Sequence, residues 1–296
     1  MRSSATRGPL VLGAGGRVGR MFRRLASEGL WPGPEPVWHT RDGRDGTLAW
    51  DFTRTLLPDW GSLPEVSGII VLAGATREDP ALAGESLKRR AFELGLANEA
   101  PARAALAFAR DRGVGRVLLC SSAAVYGSGP GTHREDSPAD PSTSYGMAKL
   151  FMEEEAAVDL GIRGGPPTCA LRIGNVAGAD MLFGAAARGP VVLDRFPDGT
   201  GPRRAYVGPL TLARAMVALL GRDGLPPVLN LAQPGLVAME DLLGAMGHPW
   251  SWREAPEGAL PSLALDTARA EALVDLPPAT PAALVEEARR AGWRAA

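Results

Sequence analysis

The chain has 296 residues, 45% hydrophobic and 22% charged, with 32 Lys+Arg against 33 Asp+Glu and a formal net charge of -1. That balance creates no field to gather nucleic acid or an anionic membrane, so neither is an expected partner. Three histidines (His39, His133 and His248) are scattered without ligand spacing, so no metal is expected, and no apolar run approaches the ~20 residues that span a bilayer. The opening "MRSSATRGPLVLGAGG" has the basic head and short apolar run of a weak signal peptide. The run breaks on glycines, and no small-residue cleavage site follows.

A short buried strand is predicted at Leu10 to Leu12, turning at once into a glycine-rich loop. A helix follows, with Val18, Met21, Phe22 and Leu25 on one apolar face. The loop holds Gly13, Gly15, Gly16 and Gly19, with Arg17 and Val18 between them. Gly13 suits a tight turn, Gly16 lets backbone amides approach a pyrophosphate, and Gly19 lets the helix lie close on the strand. Strand, loop and helix in this order form a dinucleotide cradle.

The second strand, "PVWHT", ends in Thr40 and Arg41. An acidic residue there would bind the ribose 2′-OH of NAD, and an arginine suits the 2′-phosphate of NADP. Thr40-Arg41 leans to NADP, with Asp42 keeping NAD open. "LAWDFT" (48–53) reads as a third short strand, with Asp51 placed to accept from an adenine amino group. "SGIIVLAGAT" (67–76) is continuously apolar, as a strand buried on both faces should be. Its end at Leu72, Ala73 and Gly74 is small enough for a cofactor to lie against.

A helix over about 85–112 leads to "VLLCSS", a buried strand ending in Ser121 and Ser122. Ligands of a doubly wound sheet bind beyond the strand ends, so both hydroxyls point where a substrate would sit. Cys120 and Cys169 lie in apolar runs and read as buried thiols, which suits a reducing cytoplasm. "PSTSYGMAKLFMEEEAA" then begins a helix with its glutamates, Glu153 to Glu155, expected in solvent. Tyr145 and Lys149 fall one turn apart on the same side. Only Lys88 and Lys149 are lysines in a chain that otherwise uses arginine, and tyrosine occurs only at 126, 145 and 206. A phenol with a pKa near 10 is too weakly acidic for neutral-pH proton transfer, and an adjacent ammonium lowers it. Lysine, unlike arginine's planar fork, can also bond ribose hydroxyls with rotatable donors.

With these motifs in place, the chain resembles the extended short-chain dehydrogenase/reductase family, in its NAD(P)-dependent epimerase/dehydratase branch. "GAGGRVG" (13–19) is similar to its GxxGxxG, and "SSAAVYG" to its SS–x–x–VYG. "PSTSYGMAK" is similar to P–x–x–x–YGxxK, and "LRIGNVAG" to LRxxNVxG. The resemblance implies an α/β Rossmann-type doubly wound parallel sheet with a smaller C-terminal substrate lobe. Residues 1–174 would form the dinucleotide-binding domain, with 207–232 returning to it, and 175–296 would mainly form the lobe.

The resemblance also implies roles by position. Ser122 bonds the reacting oxygen, Tyr145 is the acid/base, Lys149 its partner and Asn98 the relay asparagine. Asn175 marks the crossing into the lobe, and Arg203 or Arg204 is placed to bind a diphosphate. A homodimer through a bundle that includes the Tyr–Lys helix is implied as well. Departures are Leu12 before Gly13, Pro101 with an expected kink in the asparagine's helix, and Ala123-Ala124 where 4,6-dehydratases carry Asp-Glu. "PRRAYVGPL" also replaces RDFxxVxD and lacks its aspartate.

In the last third, "TLARAMVALL" reads as an amphipathic helix, "PVLNLAQP" as a strand returning to the core, and "PAALVEEARRAGW" as a closing helix. The expected function is a cytoplasmic NAD(P)-dependent oxidoreductase or epimerase acting on a small, sugar-like molecule. The alternative is a non-catalytic NAD(P)-binding redox sensor, a class that commonly lacks the Tyr–Lys pair.

Overall fold

Strands with no polar position, such as Leu10–Leu12 and Ile69–Val71, need cover on both faces, and every residue in them is buried. The computed structural model describes residues 7–58, 60, 65–76, 84–129 and 131–296; residues 1–6, the basic head of the first stretch, lie outside them. The first half runs β1 (Leu10–Leu12), α1 (Arg17–Ser27), β2 (Val37–Thr40), β3 (Leu48–Ala49), β4 (Ile69–Val71), α2 (Gly84–Arg112), β5 (Val117–Ser122), β6 (Thr132–His133) and α3 (Ser144–Arg163). There follow β7 (Thr168–Ile173), β8 (Asn175–Val176), α4 (Met181–Ala186), β9 (Val191–Arg195), β10 (Arg203–Val207) and α5 (Pro209–Leu220). The chain continues with β11 (Val228–Leu231), β12 (Leu236–Ala238), α6 (Met239–Met246), β13 (Trp250–Glu254), β14 (Ser262–Leu265), α7 (Ala268–Glu271) and α8 (Pro281–Arg290).

Seven strands form a parallel sheet in the order β11-β7-β5-β4-β1-β2-β3. Alternate side chains of each strand go to opposite faces. Val11, Ile70, Leu118 and Leu171 pack on one side with Phe22 of α1 and Met216 of α5. Leu10, Leu12, Ile69 and Leu119 pack on the other with Phe108 of α2 and Met152 of α3. The strand order reverses between β1 and β4, and this switch point opens a crevice at their C-terminal ends. The fold is the Rossmann-type α/β architecture with a smaller lobe.

The lobe is built on the sheet β12-β10-β14-β6, with β8 beside β10 and a separate β9–β13 pair. Its core gathers Phe183, Tyr206, Leu242, Leu284 and Trp293. The short strand β6 joins this sheet from within the first 174 residues, and β11 returns to the central sheet with Val228 opposite Ala170. Pro101 does not interrupt α2, which is helical from Gly84 to Arg112.

The start of α5 has Gly208 as its N-cap and Pro209 in its first turn, and no local side chain caps it. Glu287 of α8 reaches across instead. Its Oε2 accepts from the Thr211 amide at 2.9 Å and its Oε1 from the Thr211 hydroxyl at 2.7 Å. A carboxylate thus reaches the start of this helix from 76 residues further along. Loss of a capping acceptor destabilises by about 1–2 kcal/mol. Glu287→Ala is expected to unfold at lower urea by that amount, with Glu287→Gln intermediate. Indistinguishable urea midpoints for wild type and Glu287→Ala would show that the tie carries no stability.

Candidate active site

Gly13 follows β1 with φ +96°, a conformation that favours glycine, and a Cβ there would sit 2.5 Å from the Ala73 backbone nitrogen. At Gly19 a Cβ would lie 2.4 Å from the Gly13 oxygen, so the helix rides directly on the turn. Gly16 is the N-cap of α1 and no side chain caps that helix. Its first amides, from Arg17 and Val18, could hold an anion. Gly15 and Arg17 are exposed, and Arg17 donates to the Thr76 hydroxyl at 3.2 Å, bridging to the segment after β4 that carries Leu72, Ala73 and Gly74.

Beyond β2, the Thr40 hydroxyl is tied into its own turn, accepting from the Gly43 amide at 3.1 Å and meeting the Thr47 hydroxyl at 2.6 Å. Asp42 pairs with Arg44 at 2.6 Å, leaving Arg41 as the exposed charge between Thr40 and that pair. The third strand is shorter than expected, only Leu48–Ala49, so Asp51 sits in the following turn. Its Oδ1 accepts from the Thr53 hydroxyl at 2.7 Å and amide at 3.0 Å, which holds the carboxyl below its usual range. Arg41, Asp51, Arg54 and Trp60 line a cleft of about 260 Å³.

Thr143 caps α3 by accepting from the Gly146 amide at 3.0 Å, which places Tyr145 in the first turn, half-buried. Lys149 follows one turn later, with its Nζ 5.8 Å from the centre of the Tyr145 ring. The amine is buried and donates to the Cys120 carbonyl at 2.7 Å. Burial brings its pKa down to about 8. Asn98 on α2 is fully buried, and its Nδ2 donates to the carbonyls of Leu94 at 2.8 Å and Ala75 at 3.0 Å. Its Oδ1 has no protein partner among the described residues. Gly74 fits against both groups, since a Cβ there would lie 2.3 Å from Asn98 Oδ1 and 3.2 Å from Lys149 Nζ. Asn98, Lys149 and Gly74 therefore converge at the ends of β4 and β5, with the Tyr145 ring centre 5.8 Å from the lysine amine.

The serine pair divides. Ser122 is half-buried and caps the 3-10 turn at Ala123–Tyr126, its Oγ accepting from the Ala124 amide at 3.2 Å. Ser121 does not face a ligand: it is buried, and its hydroxyl donates to Glu153. Nor is Glu153 in solvent. Its carboxylate takes the Arg172 guanidinium from β7, with Nη2 to Oε2 at 2.8 Å, and both side chains are almost wholly buried. Arg172 also stacks 4.8 Å over the Tyr126 ring, whose hydroxyl donates to Asn230 Oδ1 at 2.7 Å. One network joins β5, α3, β7 and β11 beneath the Tyr–Lys pair. Its sequence signal was an acidic residue four positions after Lys149, masked by two further glutamates that are exposed.

In the lobe, Asn175 Nδ2 donates to Asp180 Oδ2 at 2.9 Å, and the Tyr206 hydroxyl donates to the same oxygen at 2.6 Å. Burial pushes the Asp180 carboxyl and the Tyr206 phenol up. Among the described residues the hydrogen-bond acceptors of Arg204 are backbone carbonyls, at Arg203, Leu260 and Pro261, while Arg203 is exposed. Among the described residues no cluster of His, Cys, Asp and Glu could hold a metal, and no helix is long and apolar enough to cross a membrane.

Residues 82–226 match the model of the NAD dependent epimerase/dehydratase family. A UDP-glucose 4-epimerase of Azospirillum brasilense is 44% identical over 69 residues, a stretch covering 23% of this chain and only 20% of that relative's length. The solved structure of MoeE5 in complex with UDP-glucuronic acid and NAD superposes with a TM-score of 0.71 at 24% identity, over 96% of this chain and 99% of that one. The UDP-glucose 4-epimerase from Brucella ovis in complex with NAD gives 0.72 at 22% identity, over 98% and 100%. TunA, an NAD dependent NDP-hexosamine 5,6-dehydratase, gives 0.72 at 19% identity, over 96% and 97%.

Proposed function

We propose that this chain, which belongs to the NAD dependent epimerase/dehydratase family, binds NAD(P) and oxidises or epimerises a hydroxyl-bearing carbon of a nucleotide sugar. The observation that carries this reading is the buried Lys149 amine beside Tyr145, at the mouth of a glycine-lined crevice. Bound NAD(P) would supply the hydride acceptor and donor. Gly13, Gly15, Gly16, Arg17, Val18 and Gly19 would cradle the pyrophosphate, and Ala73 and Gly74 would give the nucleotide a wall without side-chain bulk. The unpartnered Asn98 Oδ1 beside Lys149 Nζ fits a proton path that needs one more hydroxyl or water to complete it. Tyr145 would take the proton from the substrate hydroxyl as the carbonyl forms and return it in the reverse step. Ser122 would hold that oxygen by hydrogen bonding, and Lys149 would keep the phenol acidic.

Arg204 supports a diphosphate-bearing substrate. Its guanidinium is oriented by backbone carbonyls and has no carboxylate within hydrogen-bond reach among the described residues, although the charges of Asp180 and Asp194 act on it from further away. The preference between cofactors leans to NADP, because Arg41 is exposed while the neighbouring Asp42 is tied to Arg44.

The test is a binding and turnover assay with NAD and NADP over a panel of UDP- and other nucleotide-linked sugars, read by nicotinamide absorbance and by resolving epimers. Cofactor binding with turnover of at least one nucleotide sugar is expected. Failure to bind either dinucleotide would overturn the reading.

A further inference from the structure

His39 is the last inward-facing residue of β2, and it is only 2% exposed. Both of its ring nitrogens are engaged. The Gly13 amide donates to Nδ1 at 3.2 Å, and Nε2 lies 2.8 Å from the Trp50 carbonyl. An amide can only donate and a carbonyl only accept, so these partners fix the tautomer: neutral, with its proton on Nε2. The Ala14 amide donates to the His39 carbonyl at 2.8 Å, so one residue holds two successive amides of the glycine turn. On its other edge the ring is packed in an aromatic nest, 4.9 Å from Phe52, 6.1 Å from Trp50 and 6.4 Å from Trp60. Trp50 and Trp60 also line the Arg41–Asp51 cleft.

We propose that the neutral imidazole of His39 is a positioning residue for cofactor binding. It ties the Gly13 turn to the 49–60 wall, and a proton on the ring releases that turn and lowers dinucleotide affinity. The inference rests on the glycine turn being the cofactor cradle. A second ring proton would sit on Nδ1, directly facing the Gly13 N–H, and two donors cannot share that contact. Among the described residues the neighbours offer nothing to stabilise the charge. Across the sheet the flanking residues are Leu12 of β1 and Leu48 of β3, the glycine turn presents only an amide, and the 49–60 wall presents a carbonyl and three aromatic rings. The described charged side chains of that wall, Asp51 and Arg54, are engaged with Thr53 and with each other, while Asp59 lies outside the described residues. Burial accordingly lowers the His39 pKa, with the Trp50 bond opposing it.

The sign follows. A folded-state pKa below the ordinary value of about 6.5 means the neutral ring holds the turn throughout the neutral range, and the hold is lost as pH falls through the lowered pKa. Cofactor dissociation constants should be flat near neutrality and rise about tenfold per pH unit once the ring takes its proton.

The experiment measures NAD and NADP dissociation constants by calorimetry from about pH 7.5 down to about pH 5, for wild type, His39→Asn and His39→Phe. In parallel, the Gly13 amide and the His39 ring are followed by NMR without cofactor. An asparagine side chain can accept from the Gly13 amide but cannot titrate, so the affinity of His39→Asn should stay within a few-fold of wild type at neutral pH and lose the acid limb. His39→Phe should bind weakly at every pH. The Gly13 amide should shift with the midpoint of the ring. An acid limb unchanged in His39→Asn, or a wild-type affinity that stays flat while the ring is seen by NMR to take its proton, overturns the proposal. So does a Gly13 amide that ignores the ring's titration. That last measurement needs no ligand, so protein that binds neither dinucleotide, with Gly13 still tracking the ring, would overturn the cofactor reading and leave the ring's hold on the turn standing.

Discussion

Tyr145→Phe is expected to lower kcat by about a hundred- to ten-thousand-fold, the usual contribution of a positioned general acid/base, with cofactor affinity little changed. Phenylalanine keeps the ring that lies 5.8 Å from Lys149 Nζ and removes only the hydroxyl to which the proposed mechanism gives the proton transfer. The amine beside it fixes the pH dependence. Burial sets Lys149 at about 8, so the ammonium is present at neutral pH and is lost as pH rises through that value. While charged, it favours the phenolate. Lys149→Met should therefore move the acid limb of the oxidative pH profile upward, because Tyr145 then deprotonates only at higher pH. Stopped-flow measurement of cofactor reduction on an identified substrate reads both effects. A phenylalanine variant with near wild-type kcat would remove Tyr145 from the mechanism.

Arg172→Met should be the most destabilising of the substitutions considered. It leaves the Glu153 carboxylate buried with the Ser121 hydroxyl as its remaining hydrogen-bond partner among the described residues and the Lys149 charge one turn away, and stranding one member of a buried ion pair costs about 3–5 kcal/mol. Pairing it with Glu153→Leu removes the stranded charge as well. The double variant should recover most of the loss, because a buried pair replaced by apolar groups of similar size is close to neutral. Urea unfolding of the two single variants and the double variant closes the cycle. Additive losses in the double would show that the two side chains do not act as a pair. Glu153 also sits one turn beyond Lys149, so the single variants should weaken catalysis beyond their effect on stability, through disturbed placement of the amine.

Much of the first half, around the central sheet, was legible in sequence. An apolar strand, a glycine turn and a helix with Met21, Phe22 and Leu25 on one face are local patterns, and local patterns report which side of an element is buried. The convergence of Lys149 and Asn98 was legible only through family motifs, because 51 positions separate them and only the packing of α2 on α3 brings them together at Gly74. What escaped were groups whose meaning depends on a distant partner. Glu153 belongs to a run of three glutamates that reads as a wet face until Arg172 arrives from the next strand. Ser121 looked like a ligand contact for the same reason. His39 sits in a strand flanked by Trp38 and Thr40, and nothing nearby in sequence announces that its ring holds the glycine turn. The two-residue strands β6 and β8 are too short to carry a period at all.

The reach of Glu287 into the first turn of α5 bears on how the molecule can be divided. A scissor placed at Ile173, where the chain leaves the central sheet, would strip that sheet of its edge strand β11 and of α5, which covers one of its faces. A cut placed further on, after Leu231, would still orphan the amide and hydroxyl of Thr211, whose acceptor comes from the terminal helix. The two lobes are interleaved rather than modular, so a swap of substrate specificity by grafting one lobe would have to carry Glu287 and its helix along with it.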